Sequence, residues 1–227
     1  KLHFTSGTNG FVVNGTTSTS FTITDNVDPN ITAEENPANR EEADYNDVRR
    51  TLVYYTMAET GVVTKHEIDM DACGGITGDN TGIIIEVKNG VFNLDGGVLT
   101  HKVRAVETIN NANNVINIRG GAVVGCGVSS GGSTVNGSGI GVYGGGTLNI
   151  SGGYVGGNEA TTRGGGIIID SGTMNMSGGV LAANRIATNG GAVYVNSGNT
   201  INITGGTIAC NHAGAQGGGI YLIGTNS

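Results

Sequence analysis

A triplet of polar residues recurs at a nearly constant interval in this 227-residue chain. Thr147, Asn149 and Ser151 are followed by Thr173, Asn175 and Ser177, then by Thr200, Asn202 and Thr204, at steps of 26 and 27 residues. Stacked on one another, such triplets would form a flat array of hydroxyls and amides. That chemistry suits sugar hydroxyls, or an ordered water layer; the plainer outcome is that the amides bond to each other and keep the face soluble. Asp95 and Arg119 fall on the same stripe and speak against ice as the ligand. A second row, Ile168, Tyr194 and Tyr221, is predicted to point outward. Exposed Tyr rings stack on sugars or cover a neighbouring loop or subunit. Other residues offer less. Glycoside cleavage needs two carboxylates at a controlled separation, or carboxylate-held calcium with a basic residue. Asp79, Glu86, Asp95, Glu107, Glu159 and Asp170 read as scattered over different repeat positions. His3, His66, His101 and His212 share no repeat position. Three Cys without C-x-x-C spacing read as free thiols acting as small buried residues. No catalytic residue, cofactor or metal site is therefore expected, and calcium at the acid-dense segment from Glu34 to Asp47 is left open.

The elements that must carry these rows are short and Gly-punctuated. The chain has 43 Gly and only two Pro, which excludes collagen, and no Trp, which is lean for a globular core. A solenoid needs only a few aliphatic residues per layer. The motif apolar-Asn-apolar-x-Gly-Gly appears as FNLDGG, INIRGG, LNISGG, MNMSGG and INITGG, with a weaker copy, FTITDN, near the start. A period of this length without helical spacing is a solenoid signature. The expected fold is all-β: a right-handed parallel β-helix of about six coils and about 26 residues per coil, with three short strands in each. Leu148 and Ile150 alternate with polar residues as strand positions do; Val155, Leu181 and Ile208 mark the second strand, and Ile167, Val193 and Ile220 the third. Gly pairs supply corners needing positive φ or close backbone approach. Asn158, Asn184 and Asn211 end the second strand and are expected to form a structural amide ladder.

Residues 1–26 read as a first, degenerate coil, 27–72 as an acidic insertion, and 73–227 as the repeats. The net charge is −7, and the stretch from Asp25 to Asp71 holds twelve acids against four bases. The rest is nearly neutral, so the basic face that nucleic-acid binding requires is missing. Within the insertion, a short helical turn near residues 38–50 is expected, followed by a β-hairpin built from LVYYTM and GVVTKHEI. The opening residues do not have a secretory leader's make-up, and no apolar run is long enough to span a bilayer. GGGIYLIGTNS stops where another repeat would begin, which suggests a piece of a longer protein.

GGTIACN followed by GGGIY, and GGVLAAN followed by GGAVY, resemble the GGA[ILV] and FxxN repeats of polymorphic outer-membrane proteins. They are also similar to Gly-rich β-helix repeats in large surface proteins of gut bacteria. The likeness covers roughly residues 73–227 and departs at the FxxN aromatic, where Val155, Leu181 and Ile208 stand. It implies a parallel β-helix at a bacterial cell surface, outside the cell, acting in adhesion or as a stalk, with a surface glycan or protein as partner. Two alternatives stand beside it: a filament subunit stacking through its ends, and a carbohydrate-active enzyme. An acid pair brought together in space would favour the last.

Overall fold

The computed structural model describes residues 2–4, 11–15, 19–23, 51–57, 63–69, 75–78, 82–101, 103–127 and 136–224. The expected helical turn at 38–50, the acid-dense run, the hairpin turn and Cys73 lie outside these residues. Among the described residues every regular element is a strand.

Three parallel sheets dominate. Sheet I has six strands, from Ser20–Ile23 through Val91–Leu94, Val115–Ile118, Gly146–Ile150 and Gly172–Met176 to Thr200–Ile203. Sheet II has seven, from Leu2–Phe4 and Gly75–Gly78 to Thr207–Ala209. Sheet III also has seven, from Phe11–Asn14 and Ile83–Asn89 to Ile220–Leu222. From Gly75 onward the chain visits sheets II, III and I in unbroken rotation, and each strand pairs with those one circuit before and after. Short strands Glu159–Ala160, Arg185–Ile186 and His212–Ala213 add a fourth parallel ladder between sheets II and III. The sequence does not announce it, because two-residue strands carry no period. The expected hairpin is present: Thr51–Met57 pairs antiparallel with Val63–Asp69.

The repeat motif sets the register. Asn93, Asn117, Asn149, Asn175 and Asn202 lie opposite one another in sheet I, and Thr22 of the FTITDN copy aligns with Asn93. A one-residue slip would send the aliphatic residues outward, so burial locks this alignment. Phe92, Ile116, Leu148 and Met174 form one fully buried column; Leu94, Ile118, Ile150 and Met176 form the next. They meet Leu99, Val123, Val155 and Leu181 of sheet II, and Ile85, Val106, Ile140, Ile167 and Val193 of sheet III, in one core.

The two glycines of each pair do different work. Gly153 has φ 71° and turns the corner into sheet II. At Gly152, a Cβ would fall inside contact distance of the Arg119 carbonyl of the preceding circuit, so close stacking there requires glycine. The corner that ends sheet II strands shows what happens without one. Gly125 (φ 63°) and Gly157 (φ 61°) are followed at that position by Ala183 (φ 56°) and Cys210 (φ 54°). A Cβ is disfavoured in this left-handed conformation, although glycine loses more chain entropy on folding. Ala183→Gly is expected to stabilise the fold by about 0.5–1 kcal/mol, read as a higher urea midpoint. An unchanged or lower midpoint would contradict this account of the corner.

Candidate functional site

The outer face of sheet I carries the predicted Thr-Asn stripe. Thr147, Asn149, Thr173 and Asn175 are half-buried, and Thr200 and Asn202 are exposed. The amides form a continuous ladder in which each Nδ2 donates to the Oδ1 one circuit earlier. The distances are 2.8 Å for Asn117 to Asn93 and 2.9 Å for Asn149 to Asn117, Asn175 to Asn149 and Asn202 to Asn175. Asn93 extends the ladder to Thr22 Oγ1 at 3.0 Å. One donor and one acceptor on every inner rung are thus consumed within the protein. Beside it, Arg119 makes a two-pronged ion pair with Asp95, at 2.7 and 3.0 Å. That contact holds the exposed Asp95 carboxyl below the usual carboxylate range.

A second amide ladder, the one expected from Asn158, Asn184 and Asn211, runs inside the corner after sheet II with opposite polarity. Asn158 Nδ2 donates to Asn184 Oδ1 at 2.9 Å, and Asn184 Nδ2 to Asn211 Oδ1 at 3.0 Å. The backbone amides of Asn158 and Asn184 donate to the same two oxygens. Each Asn also donates to a carbonyl one circuit back: Val123, Val155 and Leu181. Asn158 and Asn184 are fully buried, so these bonds satisfy corner groups that no strand ladder reaches. Cys126 takes the next position in this column, and its backbone N–H donates to Asn158 Oδ1 at 2.9 Å. Asn114 and Asn199 play a similar part between sheets III and I, accepting from the amides of Gly90 and Gly172. Their sequence signal is an Asn directly before the first strand residue, as in ANNV and SGNT.

The second predicted row is not an open platform. Ile168 is fully buried and Tyr194 only 4% exposed, although both point away from the core. Gly-rich segments of the same circuits fold over this face. A Cβ at Gly137 would strike Ile168, and one at Gly164 or Gly190 would crowd Tyr194. Arg163 lays its guanidinium over the Tyr194 ring, 5.4 Å from the centroid, and Tyr194 stacks on Tyr221 at 5.5 Å. Only half-buried Tyr221 keeps access to solvent. Cys210 also departs from expectation: it is exposed, whereas Cys126 is buried. Complete burial pushes the Cys126 thiol up to about 12. With Cys73 replaced by Ser, a thiol reagent at pH 8 is expected to label Cys210 in the folded protein and Cys126 only after unfolding. Between the unfolded thiol value of roughly 8.5 and about 12, the unfolded state loses a proton that the folded state keeps. Stability therefore falls as pH rises through that window.

The acids are less scattered than their sequence positions suggest. Glu86 and Glu107 are opposite one another on the outer face of sheet III. Arg104 pairs with Glu107, donates to the Gly137 carbonyl at 2.8 Å and to the Asn136 carbonyl, and lies over the Tyr143 ring at 5.2 Å. Lys88 Nζ is 3.4 Å from Glu86. Burial raises the Glu107 carboxyl above its usual value; Arg104 opposes this and the Glu86 charge adds to it. Burial likewise raises Tyr143. The pattern was hidden because the corner at residues 109–114 lengthens the sheet I step to 24 residues between Asn93 and Asn117. Aligning IIIEV with RAVET, rather than the Asn positions, would have found the pair.

His101 is buried within sheet II and His212 lies in the fourth ladder, so these two do not converge. Among the described residues, no three His, Cys, Asp or Glu side chains come together as a metal site, and no helix is long and apolar enough to cross a membrane. No protein-family model matches this chain, and no match was found among curated proteins or solved structures.

Proposed function

We propose that the chain is a right-handed parallel β-helix of about six coils that serves as a non-enzymatic segment of an extracellular bacterial surface protein, an adhesin or stalk. Residues 1–26 would be its first coil, 27–72 an insertion and 73–227 its body. The three-sheet rotation supports the solenoid, and the strong bias of parallel crossovers toward one hand supports the handedness. The observation that carries the role is the pair of amide ladders. They spend polar side chains on coil-to-coil cohesion, which suits a rod that spans distance. Partner contact, with a glycan or protein, would fall to the outward edges of the Thr-Asn stripe and to Tyr221. The likeness to surface-protein repeats is what supports an extracellular location.

Solution scattering tests the shape. A rod whose stack of about six coils is roughly 30 Å long at about 4.8 Å per coil supports the reading, and a globule sinks it. A glycan panel, with Thr173→Ala and Asn175→Ala as controls, tests the contact face.

A carbohydrate-active enzyme is the second reading, favoured by the in-register Glu86 and Glu107 beside Arg104 and Tyr143. Polysaccharide cleavage that Glu107→Gln abolishes without unfolding the protein would replace the stalk reading with this one.

A further inference from the structure

Three Asn–Gly dipeptides lie within the stacked circuits: Asn89–Gly90, Asn136–Gly137 and Asn189–Gly190. Asn followed by Gly is open to intramolecular imide formation, because a neighbour without a side chain lets its backbone nitrogen reach the Asn side-chain carbon. In all three pairs the Gly N–H is held by the following circuit. Gly90 donates to Asn114 Oδ1 at 3.1 Å, Gly137 to the Arg163 carbonyl at 2.7 Å and Gly190 to the Gln216 carbonyl at 3.0 Å.

The side chains differ. Asn89 Oδ1 accepts from Asn111 Nδ2 at 3.0 Å, and Asn89 Nδ2 donates to the Gly15 carbonyl. Asn136 Oδ1 accepts from Thr162 Oγ1, one circuit on. Asn189 Oδ1 is buried and has no hydrogen-bond partner. The register supplies the reason. Asn136, Arg163, Asn189 and Gln216 are bridged in one parallel column. Thr162 stands one residue before Arg163, and from there its hydroxyl reaches back to Asn136. The residue one before Gln216 is Ala215, which has no hydroxyl to offer Asn189. A buried acceptor left unpaired is costly, and a side chain without a partner keeps its rotamer freedom.

We propose that Asn189–Gly190 is a deamidation site of the folded protein, and that side-chain hydrogen bonds hold Asn89 and Asn136 unreacted. The Gly190 nitrogen, released from the Gln216 carbonyl, bonds to Asn189 Cγ. The bond from Cγ to Nδ2 breaks, and that nitrogen leaves as ammonia with the proton given up by Gly190. Water then opens the ring at either carbonyl. The product is an aspartyl residue, or an isoaspartyl residue whose main chain runs through the side-chain carbon. Either product sets a new carboxylate in register with Arg163, a cation that offsets its charge.

Tethering by one hydrogen bond of ordinary net strength corresponds to roughly tenfold in rate. The test is peptide mapping by mass spectrometry after the 227-residue chain has been incubated at mildly alkaline pH, folded and in urea. Acid and isoaspartyl products are scored at each Asn. In the folded protein Asn189 is expected to react roughly tenfold faster than Asn89 or Asn136, and in urea the three should converge. Ala215→Thr, at an exposed position, should slow Asn189 by roughly tenfold and leave the other two unchanged. Thr162→Val should speed Asn136 by a similar factor, with circular dichroism confirming the fold. Equal rates at the three sites in the folded protein overturn the proposal. So does a difference that persists in urea, because the neighbouring sequence and not the stack then sets it. A fast Asn189 that Ala215→Thr does not slow overturns the missing hydroxyl as the cause.

Discussion

Asn184→Leu is expected to lower the unfolding free energy by on the order of 5 kcal/mol, the largest single effect anticipated in this chain. Leucine keeps the volume of the amide and removes its hydrogen bonding. Asn184 Nδ2 serves the Val155 carbonyl and Asn211 Oδ1, while Asn184 Oδ1 accepts from the backbone and side-chain nitrogens of Asn158. At this buried site, water does not replace those partners. Each orphaned group then costs about 1–3 kcal/mol. The loss approaches the total stability of an ordinary domain, so the variant should unfold at low urea or fail to fold. Asn175→Leu is the control. Its ladder bonds are equally short, but they lie on the half-buried outer face, where water substitutes. Its cost should stay near 1 kcal/mol. Equal urea midpoints for the two variants would show that burial does not separate the ladders.

Gly152→Ala is expected to cost about 3 kcal/mol or more. The added carbon would press on the Arg119 carbonyl, which is backbone and cannot swing away. Relief requires opening the spacing between circuits, which loosens the neighbouring strands Val115–Ile118 and Gly146–Ile150 together. Gly157→Ala adds the same methyl where nothing lies within 4 Å. It carries only the penalty of φ 61°, about 1 kcal/mol. A thermal melt of both proteins separates close approach from left-handed backbone as the reason for glycine. If Gly157→Ala proves the worse, the account of the Gly pair is wrong.

The two ladders also frame the choice between functions. A sugar-binding face needs free donors and acceptors, and the Thr-Asn stripe has already used one of each on its inner Asn rungs. The groups that remain point outward at a regular interval, which suits weak, repeated contact better than tight capture. The Glu86 and Glu107 pair has the opposite character: Glu86 is buried and Glu107 half-buried, and they are tied to Lys88 and Arg104. Arg104, paired with Glu107, anchors the segment at Asn136 and Gly137 to sheet III.

By itself, the sequence determined the repeating strand, its register and the amide ladders. These follow from local spacing: aliphatic residues two apart, an Asn between them and a Gly pair behind, copied every 26 or so residues. Burial then leaves one alignment in which every copy faces inward. Only the tertiary structure decided which outward residues meet solvent. Tyr194 and Ile168 point away from the core, yet Gly-rich segments of the same circuits roof them, and such segments carry no hydrophobic pattern to reveal it. Only the fold, too, brought Glu86 opposite Glu107, because a longer corner elsewhere in that circuit offsets the period. Strand register obeys short-range alternation, while the roof and the acid pair depend on corner lengths and on backbone passing over backbone, which residue types alone do not encode.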